Sequence, residues 1–257
     1  MDNRAIGVFD SGVGGLSLWR EIKHLLPNES IIYFGDGKHC PYGERSRDEI
    51  ISYAIDATEQ FIAQDCKMIV IACNTATSMA ICALREKYPD MIFVGMEPAI
   101  KPACQQTKSG VVAVLATKRS LSSEAFANKI KKYAIDGIKV ITQVGEGFVE
   151  IVEHGEEKSL KAYSAVKSIV EPLLAKHVDK IVLGCTHYPF LMSHFLELTK
   201  GLNVEIIDPS SAIIKRINQL LEQRDIKAEQ RNDVKYSFST FADCDYLQML
   251  RDRANTL

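Results

Sequence analysis

No two of the seven cysteines in this 257-residue chain form a Cys-x-x-Cys pair, their number is odd, and the six histidines are scattered. Neither a disulfide framework nor a zinc knuckle is indicated, and reduced thiols are the default. The formal net charge is −2, which leaves no basic footprint for nucleic acid. No apolar run approaches the roughly 18 residues of a membrane span, and Asp2 and Arg4 precede the first apolar run, unlike a signal peptide. Low-complexity tracts and long charge blocks are also missing, so disorder is not expected. The expectation is a soluble cytoplasmic protein with no nucleic-acid and no membrane partner.

What is present is ordinary globular composition, 46% apolar and 25% charged, enough for one large α/β domain or two smaller ones. Two stretches stand out. Met68-Ile69-Val70-Ile71-Ala72-Cys73-Asn74-Thr75-Ala76 is echoed by Lys180-Ile181-Val182-Leu183-Gly184-Cys185-Thr186-His187. Each is a short β-branched run, a cysteine, and residues that open helices. Uninterrupted apolar runs suit parallel strands buried on both faces, a pattern shared with buried helix segments. Read as strand ends, both thiols stand where open α/β sheets bind ligands, and a following helix N-terminus lowers a thiol's pKa. The repeat favours two α/β halves.

Taken in order, Arg4–Phe9 reads as a strand ending on Asp10, followed by Ser11-Gly12-Val13-Gly14-Gly15 and a helix. This glycine turn lacks the Lys-Ser/Thr of a P-loop and does not fit Gly-x-Gly-x-x-Gly; it reads as an anion-facing turn or as a tight β-α turn with Asp10 capping the helix. Ser30–Phe34 is the next strand, leading through Gly35-Asp36-Gly37 to Pro41-Tyr42-Gly43. Ser46-Arg47-Asp48-Glu49 has capping-box spacing before a helical face of Ile50, Ile51, Ala54, Ile55, Thr58, Phe61 and Ile62. A helix over 75–88 and a strand over 91–94 complete the first half by Glu97-Pro98. In the second half Val111–Leu115 is a strand ending at Ala116-Thr117, Leu121–Tyr133 a helix, and Ile138–Val144 a strand. Glu146, Glu150 and Glu153 follow it and read as a solvated face. Leu160–Ala175 is an amphipathic helix; then come the Cys185 strand, Tyr188-Pro189 at a helix start, and a strand at Val204–Ile207. A helix over 210–221, an exposed charged stretch over 222–232, a strand at Val234–Phe238 and a helix at Asp243–Arg251 finish the chain. Composition does not assign this tail to either half.

Cys66, Cys82, Cys104 and Cys244 read as packing residues and Cys40 as a loop residue. Cys73 and Cys185 differ, because two thiols facing one ligand from opposite sides fit stereoinversion at carbon. One thiolate removes a proton from one face and one thiol supplies a proton from the other, with roles exchanged for the opposite hand. Asp10 and His187 stand beside the two thiols as groups able to hold their protons. No strand-end lysine offers a Schiff-base position for pyridoxal phosphate.

Phe9-Asp10-Ser11-Gly12-Val13-Gly14-Gly15, Pro41-Tyr42-Gly43, Ala72-Cys73-Asn74-Thr75-Ala76 and Gly184-Cys185-Thr186-His187-Tyr188-Pro189 together resemble the bacterial glutamate racemases, over residues 4–240 and in that family's order. The resemblance implies two pseudo-symmetric three-layer α/β domains with mainly parallel sheets and the active site between them, spanning 1–97 plus 210–257, and 98–209. It implies a cofactor-independent, metal-free two-base enzyme that interconverts L- and D-glutamate for peptidoglycan in the cytoplasm, as a homodimer. Carried over residue by residue, it gives Cys73, Cys185, Asp10, His187 and Glu153 catalytic roles. Substrate-binding roles fall to Asp10, Ser11, Pro41, Tyr42, Gly43, Asn74, Thr75, Thr117, Thr186 and His187. The chain departs from the family at Glu150, where proline is usual, and at Lys38-His39-Cys40, where small residues and arginine are commoner. Racemases of the same superfamily acting on aspartate or a hydantoin, and a non-catalytic anion-binding protein, are the alternatives.

Overall fold

The computed structural model describes residues 1–257, and they divide into two compact units, Met1–Met96 with Ser210–Leu257, and Glu97–Pro209. The first unit alternates β1 (Ile6–Asp10), α1 (Leu16–Leu25), β2 (Ile31–Gly35), α2 (Arg47–Ala63), β3 (Met68–Ile71), α3 (Asn74–Lys87) and β4 (Phe93–Gly95). The second holds α4 (Ile100–Gln106), β5 (Val111–Ala116), α5 (Lys118–Leu121), α6 (Glu124–Tyr133), β6 (Lys139–Val144), α7 (Phe148–Glu153), α8 (Leu160–Leu174), β7 (Lys180–Gly184), α9 (Met192–Leu198) and β8 (Glu205–Ile207). The chain then returns to the first unit with α10 (Ser210–Gln223), β9 (Tyr236–Ser239) and α11 (Cys244–Thr256). No helix is long and apolar enough to cross a membrane.

Both sheets are wholly parallel, in the orders β4-β3-β1-β2-β9 and β6-β5-β7-β8. Every residue of β1 and of β3 is buried, as uninterrupted apolar runs demand when helices cover both faces. In the first unit Phe9, Phe34, Ile71 and the α2 residues Ile50, Ala54, Ala57 and Phe61 share one core cluster. The capping box that starts α2 is complete: Glu49 N donates to Ser46 Oγ at 3.3 Å and Ser46 N to Glu49 Oε2 at 2.9 Å.

The structure corrects four local expectations. The helix expected over 121–133 is broken, because Ser123 Oγ accepts Phe126 N at 3.1 Å and starts α6 afresh after the short α5. Helix α4 was not anticipated; its Pro102 sits in the first turn, where no intrahelical N–H is lost, and Ile100, Ala103 and Cys104 pack on Val112 and Val114. Asp10 does not cap α1, whose N-cap is Gly15 without a side-chain bond. Cys82 and Cys244 are exposed rather than packed, since each lies on the outer face of its helix.

At the amino ends of the first sheet's strands, Lys67 and Glu29 form an inaccessible ion pair at 2.6 Å. The Lys67 ammonium also donates to Asp2 O at 2.6 Å and Ile226 O at 2.8 Å, while Ala228 N donates to Glu29 Oε1 at 2.8 Å. The ammonium thus joins one carboxylate and two backbone carbonyls, and the tail is tied to the sheet it joins.

In the second unit the corresponding anchor is Asp179, just before β7. It accepts from Thr107 Oγ1 at 2.6 Å, Lys108 N at 2.6 Å and Ser109 N at 3.0 Å. Burial raises its pKa, but the donors outweigh burial and the net direction is down. A lowered folded-state pKa contributes stability that is complete above the unfolded value of about 3.9 and is lost as pH falls through the folded value. Asp179→Asn should therefore cost about 1–3 kcal/mol at pH 7. Urea unfolding from pH 7 down to pH 3 should show the gap between wild type and variant closing in acid; a gap independent of pH would contradict the assignment.

Candidate active site

In the first unit, parallel register brings three strand ends to one edge. Phe9 pairs with Ile71 and Asp10 with Gly35, Ala72 N donates to Phe9 O at 2.8 Å, and Asp36 N donates to Asp10 O at 2.9 Å. Asp10, Asp36 and Cys73 therefore issue from neighbouring strands. Asp10 Oδ1 accepts Gly12 N at 3.0 Å and Tyr33 OH donates to Gly12 O at 2.6 Å, which pins the glycine turn from both sides.

Cys73 is the N-cap of α3, and its Sγ accepts Ala76 N at 3.4 Å. Its thiol also meets Ser11 Oγ at 3.5 Å. The sulfur thus accepts a first-turn N–H at the positive end of a 14-residue helix. Asn74 and Thr75, the first residues of α3, are buried with it, and Asn74 Nδ2 has no protein partner. A buried amide donor without an acceptor in the protein is the kind of group a ligand satisfies.

The Pro41-Tyr42-Gly43 segment opens a 3-10 turn at Tyr42–Glu44. Tyr42 is 1% exposed, and its hydroxyl donates to Asp36 Oδ2 at 2.6 Å. Burial and the Asp36 carboxylate hold that hydroxyl well above the ordinary tyrosine range, so it remains a donor. The Tyr42 side chain is thus committed inside the protein. What the turn can offer a ligand is backbone N–H at its first residues, which have no intrahelical acceptor.

In the second unit the equivalent edge is built by β5 and β7. Ala116 pairs with Gly184, so Thr117 and Cys185 emerge side by side. Thr117 caps α5, accepting Ser120 N at 3.2 Å. Cys185 Sγ lies 3.7 Å from His187 Nδ1, and His187 Nε2 lies 2.5 Å from Glu153 Oε1. With Nε2–H given to Glu153, Nδ1 is the acceptor toward the thiol in the neutral ring and the donor in the protonated one. Both the His187 and Cys185 side chains are buried, as is Thr186.

Glu153 reaches His187 because α7 is short and well anchored. Gly147, with φ +75°, turns the chain into α7, and Phe148 packs edge-on against Tyr188 at 5.1 Å. Gly145 leaves room for the Tyr188 ring: a Cβ there would stand 2.6 Å from its hydroxyl. Of the three carboxylates expected on a solvated face, Glu146 and Glu150 are exposed, whereas Glu153 faces inward to the histidine. Within each unit, then, the residues singled out from the sequence lie at the carboxyl edge of its sheet. Sequence reasoning missed Asp36; the signal was there, an acidic residue directly after a buried strand, as at Asp10.

A model of the family described as Asp/Glu/Hydantoin racemase matches residues 6–217. The glutamate racemase of Ectopseudomonas mendocina (strain ymp) is 47% identical over 225 residues, covering 88% of this chain and 85% of that one. That of Herpetosiphon aurantiacus is 43% identical over 251 residues, 98% of each chain. Among solved structures, Francisella tularensis glutamate racemase in complex with D-glutamate aligns with a TM-score of 0.84 at 30% identity, over 100% of this chain and 95% of that one. The Escherichia coli glutamate racemase, in complex with L-glutamate and the activator UDP-MurNAc-ala, aligns with 0.85 at 32% identity, over 98% and 95%.

The cysteines outside these edges provide a chemical check on the placement. Burial pushes the Cys66 thiol up to about 12 and raises that of Cys104, so neither forms thiolate near neutrality. Brief treatment of the native protein with iodoacetamide at pH 8, followed by peptide mass spectrometry, should find Cys82 and Cys244 modified and Cys66 and Cys104 untouched.

Proposed function

The chain belongs to the Asp/Glu/Hydantoin racemase family, and on that premise we propose that it interconverts L- and D-glutamate by a cofactor-independent two-base reaction at the α-carbon. The observation that carries the reading is the repeated placement of a cysteine just after the third strand of each unit, Cys73 as the N-cap of α3 and Cys185 three residues before the Tyr188–Leu191 3-10 turn. The substrate assignment rests on the glutamate racemases that the chain resembles at 43–47% identity.

The reaction balances with two thiols and no other acid or base. A thiolate on one face takes the α-hydrogen as a proton; the C–H bond breaks and its electron pair stays on the carbon, delocalised into the carboxylate. The thiol on the other face delivers its proton to that pair, leaving a thiolate behind. The α-carbon is inverted and the negative charge has moved from one sulfur to the other. The enzyme is then poised for the opposite enantiomer and must exchange one proton with solvent before repeating the same direction. Positioned general acid and base groups each contribute about 10²–10⁴-fold.

Each sulfur has a different aid in this scheme. Cys73 has the α3 N-terminus and Ser11, with Asp10 on the adjoining strand. Cys185 has His187, which Glu153 orients. Asn74 Nδ2 is a donor for the substrate's α-carboxylate, which stabilises the carbanion electrostatically, and the backbone N–H groups of the Tyr42–Gly43 turn are donors for the other carboxylate, whose charge does not change in the reaction. Ser11, Pro41, Thr75, Thr117 and Thr186 complete the proposed contacts. The wider setting that accompanies this reading is a cytoplasmic homodimer supplying D-glutamate to peptidoglycan.

Incubation of the metal- and pyridoxal-free protein with L-glutamate in D2O should abolish optical rotation and place deuterium at the α-carbon. Neither change, from protein verified as folded, would sink the proposal. Cys73→Ala and Cys185→Ala should each lower racemisation by at least about 10²-fold; full activity in either would remove that thiol from the reaction. L-Aspartate run in parallel separates the glutamate assignment from its closest chemical alternative.

A further inference from the structure

One polar chain at the first unit's sheet edge is not used by that mechanism. It begins at Asp36, which is completely inaccessible to solvent and follows β2 directly. Its carboxylate has two side-chain donors: the Tyr42 hydroxyl at 2.6 Å, and His39 Nδ1, at 2.9 Å from Oδ2 and 3.0 Å from Oδ1. The His39 ring lies flat on Tyr53 of α2, with centroids 3.9 Å apart and planes within 8°, and meets Phe241 of the tail edge-on at 6.3 Å. Its backbone is stitched to the same turn, as Arg45 Nε donates to His39 O at 3.0 Å and Arg45 N to Tyr42 O at 3.2 Å. On its outer side His39 lines an open depression of about 490 Å³ with Lys38, Asp56, Glu59 and Gln60.

We propose that His39 is a positioning residue for substrate binding: its Nδ1–H holds the buried Asp36 carboxylate in the orientation that receives the Tyr42 hydroxyl, and so fixes the Pro41-Tyr42-Gly43 turn. The inference rests on the racemase reading, in which that turn contacts the substrate. The physical reason is the cost of an underpaired buried carboxylate. With His39 in place, a fully desolvated Asp36 has donors on both oxygens. Without the imidazole N–H, one oxygen loses its only side-chain donor, and the carboxylate must rotate or admit water. Either of these weakens the short Tyr42 bond, which is what keeps the Tyr42 ring seated against Phe9 at 6.1 Å and Tyr53 at 5.7 Å. The effect falls on the ground-state geometry of the turn and not on either thiol, so it belongs in KM and not in kcat.

The ring does two things, stacking and donating, and two variants separate them. His39→Phe keeps a flat ring for Tyr53 and removes the donor. His39→Asn gives up the stack and keeps an N–H near the position of Nδ1. If donation is what matters, His39→Phe raises KM for L-glutamate by about tenfold, the worth of one such hydrogen bond, with kcat within about threefold, and His39→Asn stays within about threefold of wild type in both. An unchanged KM in His39→Phe, equal impairment of the two variants, or a fall in kcat without a rise in KM would each overturn the proposal. His39→Leu, judged by the same criteria, replaces His39→Phe if thermal melting shows that variant unfolded. Wild-type protein in the same assay keeps the two readings apart: an inert wild type removes the racemase proposal and this one with it, whereas an active wild type with an indifferent His39→Phe removes this one alone.

Discussion

The parallel hydrogen-bond register is the constraint on which the rest depends. In a parallel sheet every strand points the same way, so all strand ends and all helix starts that follow them lie along one edge. Four residues of β3 and five of β7 are enough to deliver Cys73 and Cys185 to such edges. The two units use the same plan. Counting each unit's strands in chain order from its own first, the sheet orders are 4-3-1-2 in the first unit and the same sequence in the second, with β9 added beside β2. The thiol follows the third strand in both, next to the end of the first strand, where Asp10 stands in one unit and Thr117 in the other. Nothing about a lone cysteine suggests reactivity; its position in this register is what the proposed function draws on.

The opposite ends of the strands carry the structural chemistry. Lys67 and Glu29 in the first unit, and Asp179 in the second, are buried charges whose partners are backbone groups of distant segments. A buried ion pair returns little net stability against well-packed apolar residues, whereas losing one partner is costly. What the pair does secure is connectivity: Asp2 and Ile226 are both tied to the ammonium, and β9 can then extend the sheet beside β2. With the anchoring charge at one end and the cysteine at the other, β3 between Lys67 and Cys73 is entirely apolar, which is why it reads so clearly as a buried strand.

That clarity explains how much was legible. β1, β3, β5 and β7 have apolar runs with no polar alternation, and α2 carries a complete capping box, so sequence spacing located each of them within a residue or two. The misses have local causes. Ser122-Ser123 breaks a helix because a hydroxyl competes for backbone N–H, a choice that apolar periodicity does not register. Pro98 and Pro102 disguised α4, although proline in a first turn costs nothing. Charge spacing alone makes Glu153 a solvated residue, because charge on a short helix usually is, and only the family resemblance sets it beside the thiols; its partner His187 is 34 positions away and the tertiary fold brings them together. The pairing of His39 with Asp36 was hidden differently, since a three-residue separation in a loop implies no contact until the Tyr53 stack fixes the ring.

The two thiols are placed alike by topology but supported by unlike groups, a helix N–H and serine at Cys73, an imidazole held by a carboxylate at Cys185. For a racemisation, thermodynamics limits what that asymmetry can do. Enantiomers have equal free energies in water, so the equilibrium constant is one and kcat/KM must be identical in the two directions. Unequal surroundings therefore cannot favour either product. They can only stabilise one bound enantiomer, or one resting proton distribution, more than the other, which raises kcat and KM together in the direction that starts from the less stable complex. On this reading the His187–Glu153 pair at Cys185, and Ser11 with the α3 N-terminus at Cys73, would set how tightly each hand of glutamate is held and how fast it turns over, while the ratio is fixed by the symmetry of the chemistry itself.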